Sequence, residues 1–134
     1  MSEDAVVIIF DSQTGRWLYI HDRWGKYDII DAVKEGLHET KNYFGGFREE
    51  SDYISFIIYE MIKNRKGRCE QIKVGVLHKT YNDIMDKVDT IGGKDVYSGE
   101  GEILPILEWG AIRIKDLEGN YILRETKFED FINL

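Results

Sequence analysis

This chain of 134 residues carries one cysteine, one proline and three histidines. With Cys69 alone, an internal disulfide is excluded. Its thiol lies next to Arg68, a neighbour that lowers a thiol pKa, but no histidine adjoins it in sequence. A small residue without a catalytic role is the simpler reading. No run of roughly eighteen apolar residues occurs, which excludes a transmembrane helix. The opening Met-Ser-Glu-Asp is acidic where a secretory signal is basic. The expectation is a cytoplasmic protein, or one of the host cytoplasm if the source is viral.

The usual catalytic signatures are also missing. There is no Gly-x-Gly-x-x-Gly, no phosphate loop ending in Gly-Lys-Ser/Thr, no His-Glu-x-x-His and no Gly-x-Ser-x-Gly elbow. His21, His38 and His78 stand far apart in sequence. Asp83, Asp86 and Asp89 recur every third residue, a spacing that suits the wet face of a helix better than a cation site. No metal and no cofactor is implied. The net charge of -7 disfavours broad, nonspecific binding to nucleic acid. Basic residues nonetheless gather from Lys63 to Arg68. A solvated helix end is preferred there over a phosphate-binding patch.

What is present is a globular pattern, with 43% hydrophobic residues. Ser51 to Asn64 places Ile54, Ile57, Ile58 and Met61 on one helix face, and Tyr53, Phe56, Tyr59 and Ile62 widen the stripe nearly all round. A central helix buried on more than one side, capped by Ser51, is expected. Ala5 to Phe10 reads as a strand covered on both faces, joined by the turn at 11–15 to an alternating strand from Arg16 to His21. Asp28 suits a cap for a helix carrying Ile29, Ile30, Val33 and Leu37, which Gly36 weakens near its end. A loop follows from Thr40 to Arg48. Strands are expected at 71–80, at 103–115 with Pro105 marking a strand start or an edge, and at 121–125. Thr126 suits a cap for a short last helix over 127–133. Residues 81–88 are ambiguous, and the glycine-rich stretch 92–101 reads as a long loop. The sum is one α+β domain over residues 1–134, with two main helices on a mostly antiparallel sheet.

Functional chemistry concentrates in two loops. His21, Arg23, Trp24, Lys26 and Tyr27 put aromatic faces, cations and an imidazole within seven residues. Tyr43, Phe44, Phe47 and Arg48 repeat the mixture beyond the first helix. Such loops suit a protein interface, where Trp, Tyr and Arg are favoured anchors. They also suit a nucleotide, whose base stacks while Arg and Lys hold phosphate. The inert alternative is that Trp24, Phe44 and Phe47 fold inward as lids on the core.

Tyr19, His21, Trp24, Gly25 and Tyr27, followed by a helix and later by Glu60-Met-Ile-Lys63, resemble a short signature of small bacteriophage and prophage accessory proteins. The likeness spans roughly residues 16–80, with an extra residue between His21 and Gly25. It implies a viral accessory protein that binds and modulates a host protein, such as a defence component. The preferred reading is thus a non-enzymatic binder of a protein partner through the loop at 21–27, with 43–48 as second choice. The alternative is a small nucleotide-binding or nucleotide-processing protein, with His21 as base and Arg23 or Arg48 holding phosphate. A homodimer is expected from the edge at Pro105 and from the apolar end formed by Phe128, Phe131 and Leu134.

Overall fold

A computed structural model describes residues 3–77, 103–116 and 120–134. His78, the three aspartates at 83, 86 and 89, the ambiguous stretch 81–88 and the glycine-rich stretch 92–101 lie outside the described residues.

The β-branched run at the start forms β1 (Ala5–Asp11), which pairs antiparallel with β2 (Arg16–Asp22) along its whole length. Asp11 closes the turn between them by accepting from the Thr14 hydroxyl at 2.8 Å and from the Gln13 N–H at 3.1 Å. Two helices follow, α1 (Ile29–Phe44) and α2 (Glu50–Asn64). The chain then returns through a 3-10 turn (Cys69–Gln71) into β3 (Ile72–Leu77). Strands β4 (Ile103–Glu108), β5 (Ala111–Asp116) and β6 (Tyr121–Lys127) complete the sheet, and α3 (Phe128–Phe131) ends the fold. The strand order is β3-β2-β1-β4-β5-β6, antiparallel throughout except for β1 against β4. This is the α+β architecture expected, with both helices on one face.

Alternation along β1 divides the interior in two. Ala5, Val7 and Ile9 face the helices and join Ile20, Leu37, Ile57, Met61, Leu107 and Phe128 in the main core. Val6, Ile8 and Phe10 face the other way and pack with Trp17, Leu104 and Ile106 in a second buried cluster. Both faces of β1 are covered, as its unbroken apolar run predicts.

Several local expectations are corrected. α2 buries Tyr53, Ile57, Glu60 and Met61, a single face, while Tyr59 stays exposed. Ser51 lies inside this helix; Glu49 is its N-cap residue and no side chain caps it. Asp28 also makes no side-chain cap, because its carboxylate is drawn to Arg65 instead. α1 continues through the expected loop to Phe44 and stops where Gly45 takes a left-handed φ of 79°. Gly36 sits where α1 meets α2: a Cβ there would lie 2.7 Å from the Ile57 backbone. It permits close packing rather than marking a weak end. Thr126 bonds the Arg124 carbonyl and does not cap α3, which is shorter than expected.

Pro105 is not on an edge. β4 lies between β1 and β5, and its pairing with β1 involves Ile106 and Leu107, just past the proline. Pro105 therefore precedes the ladder that its missing N–H would interrupt. Phe128 and Phe131 are buried in the core, and only Leu134 of the apolar chain end is exposed. Both features that suggested a homodimer are thus satisfied within one chain, apart from Leu134.

Candidate functional site

β2 ends on Asp22, which is fully buried. Its Oδ1 accepts the Trp24 N–H at 3.1 Å, and its carbonyl accepts the Gly25 N–H at 3.2 Å. A Cβ on Gly25 would come within 2.9 Å of the Asp22 side chain, so this tight turn requires glycine. The Gly25 carbonyl then accepts from the Asp28 and Ile29 amides and so joins the loop to the start of α1.

The loop is clasped from outside by the end of α2. Arg65, only 11% exposed at its side chain, donates from Nη1 to the Trp24 carbonyl at 2.6 Å and from Nη2 to the Asp28 carboxylate. Its Nε lies 3.7 Å from Asp22 Oδ2. Burial pushes the Asp22 carboxyl above its ordinary pKa, while the Trp24 amide and the Arg65 guanidinium pull it back. Gln71 supplies a second clasp: its carbonyl accepts the Arg23 N–H at 3.1 Å, and its side-chain oxygen accepts the indole N–H of Trp24 at 2.9 Å.

These contacts hold the Trp24 indole half out of the protein, 48% exposed, against a cleft of about 250 Å³. Trp24, Asn64, Arg65, Lys66, Arg68 and Gln71 line it. The Arg23 guanidinium stands 5.6 Å from the indole centroid, within cation–π reach. Lys66 and Gly67 both take left-handed backbone, with φ of 57° and 82°, and so reverse the chain after α2. The amides of residues 65–69 and 71 all bond to carbonyls within this reversal. A ligand in the cleft therefore meets an aromatic face and cationic side chains, not a cradle of free backbone N–H groups.

The sequence-selected residues separate into three places. Trp24 lines this cleft, and Arg23 stands beside its ring without lining it. Lys26 and Tyr27 lie beside it on the same loop, with the ammonium 5.4 Å from an exposed tyrosine ring. His21 alternates with Asp22 on β2, pairs with Val6 of the second cluster, and meets Asp4 at 3.5 Å; it does not line the cleft. Tyr43, Phe44, Phe47 and Arg48 sit at the far end of α1, whose 16 residues span about 24 Å. There Phe47 packs edge-on to Phe128 at 5.2 Å, a core lid, while Tyr43 is exposed and Phe44 lies under the Arg48 guanidinium at 4.2 Å. The two aromatic loops are not brought together.

The partner of the Trp24 loop is instead the basic reversal after α2. Its cations are conspicuous in the sequence, but Gln71 carries no local signal, because its role depends on the pairing of β3 with β2. Among the described residues no group of three His, Cys, Asp or Glu side chains is placed to hold a metal ion, and no helix is long and apolar enough to cross a membrane. Compared with known proteins, the chain matches no family model, no curated protein and no solved structure.

Proposed function

We propose that this protein is a binding module that holds an acidic segment of a protein partner on the Trp24 cleft, without catalysing a reaction. The supporting observation is the fixed, half-exposed indole of Trp24, oriented by Gln71 and flanked by Arg23, Lys66 and Arg68. An aromatic side chain already held in its rotamer loses little entropy on binding, which is how interface anchors gain their weight. The cations beside it select for negative charge. In the setting that the phage-protein resemblance implies, the partner is a host protein whose activity the module modulates.

A nucleotide is the second reading, because a base can stack on the same indole while Lys66 and Arg68 meet phosphate. The internally bonded amides of the reversal weigh against it, since nothing but side chains remains to hold phosphate. His21 and Arg48 do not line the cleft, so of the residues that a nucleotide-processing reaction was expected to use only Arg23 stands near it.

Calorimetry with an acidic peptide containing one aromatic residue, beside mono-, di- and cyclic nucleotides, tests the choice. Pulldown from host lysate tests for the natural partner. The expected result is peptide binding and partner capture, both lost in Trp24→Ala and in the Lys66→Glu, Arg68→Glu double variant. Tight nucleotide binding with no captured protein overturns the preference.

A further inference from the structure

A second cleft, of about 230 Å³, opens at the far end of the helix pair, between the β1–β2 turn, the start of α2 and the β4–β5 turn. Its chemistry is the reverse of the first. Tyr53 lines it; the residue is only 4% exposed, and its hydroxyl makes no hydrogen bond with the described residues. The hydroxyl oxygen itself is not sealed from solvent, so it is open to bond an occupant of the cleft. Burial, with Glu50 and Asp11 nearby, raises the phenol pKa, so this hydroxyl keeps its proton.

The walls are Phe47 and Trp109. Trp109 is 69% exposed and has a φ of 49°, in a two-residue hairpin turn completed by Gly110 at 74°. That turn favours Asn-Gly, and a tryptophan at its first position sits in left-handed backbone against its intrinsic preference. Acidic side chains complete the cleft. Glu49 and Glu50 line it, and Glu50 is held in place by accepting the Ser12 N–H at 2.8 Å.

Two positive contributions oppose a cation here, and each is offset by a carboxylate. The start of α2 carries about half a positive charge, against the two carboxylates of Glu49 and Glu50 that line the cleft. Arg48 also lines the cleft; its guanidinium lies 3.4 Å from Asp52, a carboxylate outside the cleft lining, and over the Phe44 ring.

We propose that this cleft is a binding site for a guanidinium or alkylammonium cation, stacked on Trp109, paired with Glu49 and Glu50 and bonded by the Tyr53 hydroxyl. Aromatic faces beside carboxylates are the recognised way to hold such cations. The proposal stands apart from the Trp24 cleft and does not depend on it. The same chemistry is presented by an arginine or lysine side chain of a polypeptide and by a free amine.

The test follows the Trp109 indole resonance by NMR during titration with N-acetylargininamide, with agmatine, and with a short peptide bearing one arginine. N-acetylglutaminamide is the neutral control. A saturable shift with the cations and none with the control is expected. Trp109→Asn should weaken binding at least tenfold without lowering the thermal midpoint, because Asn-Gly suits the turn. Tyr53→Phe and the Glu49→Gln, Glu50→Gln double variant should each weaken it several-fold. Tighter binding of the peptide than of agmatine assigns the cation to a polypeptide, and the reverse assigns it to a free amine. No saturable shift with any cation, or affinity unchanged in the double glutamine variant, overturns the proposal.

Discussion

Arg65 shows how much of this molecule depends on single side chains. One guanidinium joins the end of α2 to the Trp24 loop and to the start of α1, through Asp22, Asp28 and the Trp24 carbonyl. Arg65→Ala would leave the buried Asp22 and the partly exposed Asp28 without their cation. Removing one partner of such a cluster costs about 3 kcal/mol, and urea titration should show a loss of that size. Asp22 behaves differently. Its folded pKa lies above the ordinary 3.8, so the folded state binds a proton more tightly than the unfolded chain. The stability linked to that proton is fully present below the unfolded pKa and is lost as pH rises through the folded value. Asp22→Asn keeps an acceptor for the Trp24 amide and removes the titrating charge. The variant should therefore match or exceed the native stability near neutral pH, with the difference shrinking as the native protein is acidified. A variant that is less stable at neutral pH would show that the Arg65 attraction outweighs burial. Trp24 itself is expected to matter little to folding. Half-exposed as it is, Trp24→Ala should change stability by no more than about 1 kcal/mol while removing about 2 kcal/mol or more of binding.

Between elements, the contact of α1 with α2 is set by a missing side chain. Helix propensity alone says that Gly36→Ala should stabilise by about 1 kcal/mol. The added Cβ, however, would stand 2.7 Å from the Cα and backbone N of Ile57, atoms that move only if the helices separate. Overpacking of this kind costs about 1–3 kcal/mol, and with rigid backbone as the neighbour the upper part of that range applies. A net loss of about 2 kcal/mol is expected by denaturant titration. Ile57→Ala, on the other side of the same contact, should cost about 2–5 kcal/mol, since Ile57 is fully buried. The period of apolar residues made both helices legible. It could not reveal their close approach, because glycine reads in sequence as a helix breaker whether or not a neighbouring helix needs the space.

At the scale of the whole molecule, one parallel pairing unites two antiparallel halves. β3-β2-β1 and β4-β5-β6 meet where Ile8 and Ile9 face Ile106 and Leu107, nearly a hundred residues away in sequence. The main core crosses that seam, with Ile9 and Leu107 in one cluster. Such a core predicts a single cooperative transition. Trp17 stands on β2 but packs with Leu104 and Ile106, and Trp109 stands in the β4–β5 turn with its ring 5.7 Å from that of Phe10, so both report on the joined halves. Their fluorescence, followed in single-tryptophan variants, should give the same midpoint as far-UV circular dichroism. Separate midpoints would divide the chain into two units. Contacts this distant in sequence also predict folding in milliseconds to seconds rather than microseconds.

Local chemistry alone accounted for the class of fold, the first hairpin, the existence of both helices and the two-faced burial of β1, because each follows from residues close together in the chain. It also singled out Trp24: a large ring with cations on either side and no place in an apolar period has no local reason to be buried. The tertiary structure decided what lies opposite that ring. Lys66, Arg68 and Gln71 reach it only because β3 returns beside β2, and His21 leaves it only because successive residues of a strand face opposite ways. Pro105 was misjudged for a related reason. A missing N–H excludes a residue from one side of a ladder, but which side has a neighbour is set by strands far away in sequence. The cleft at Tyr53 and Trp109 is the extreme case, since its parts come from three separate stretches of chain that only the folded core brings to one place.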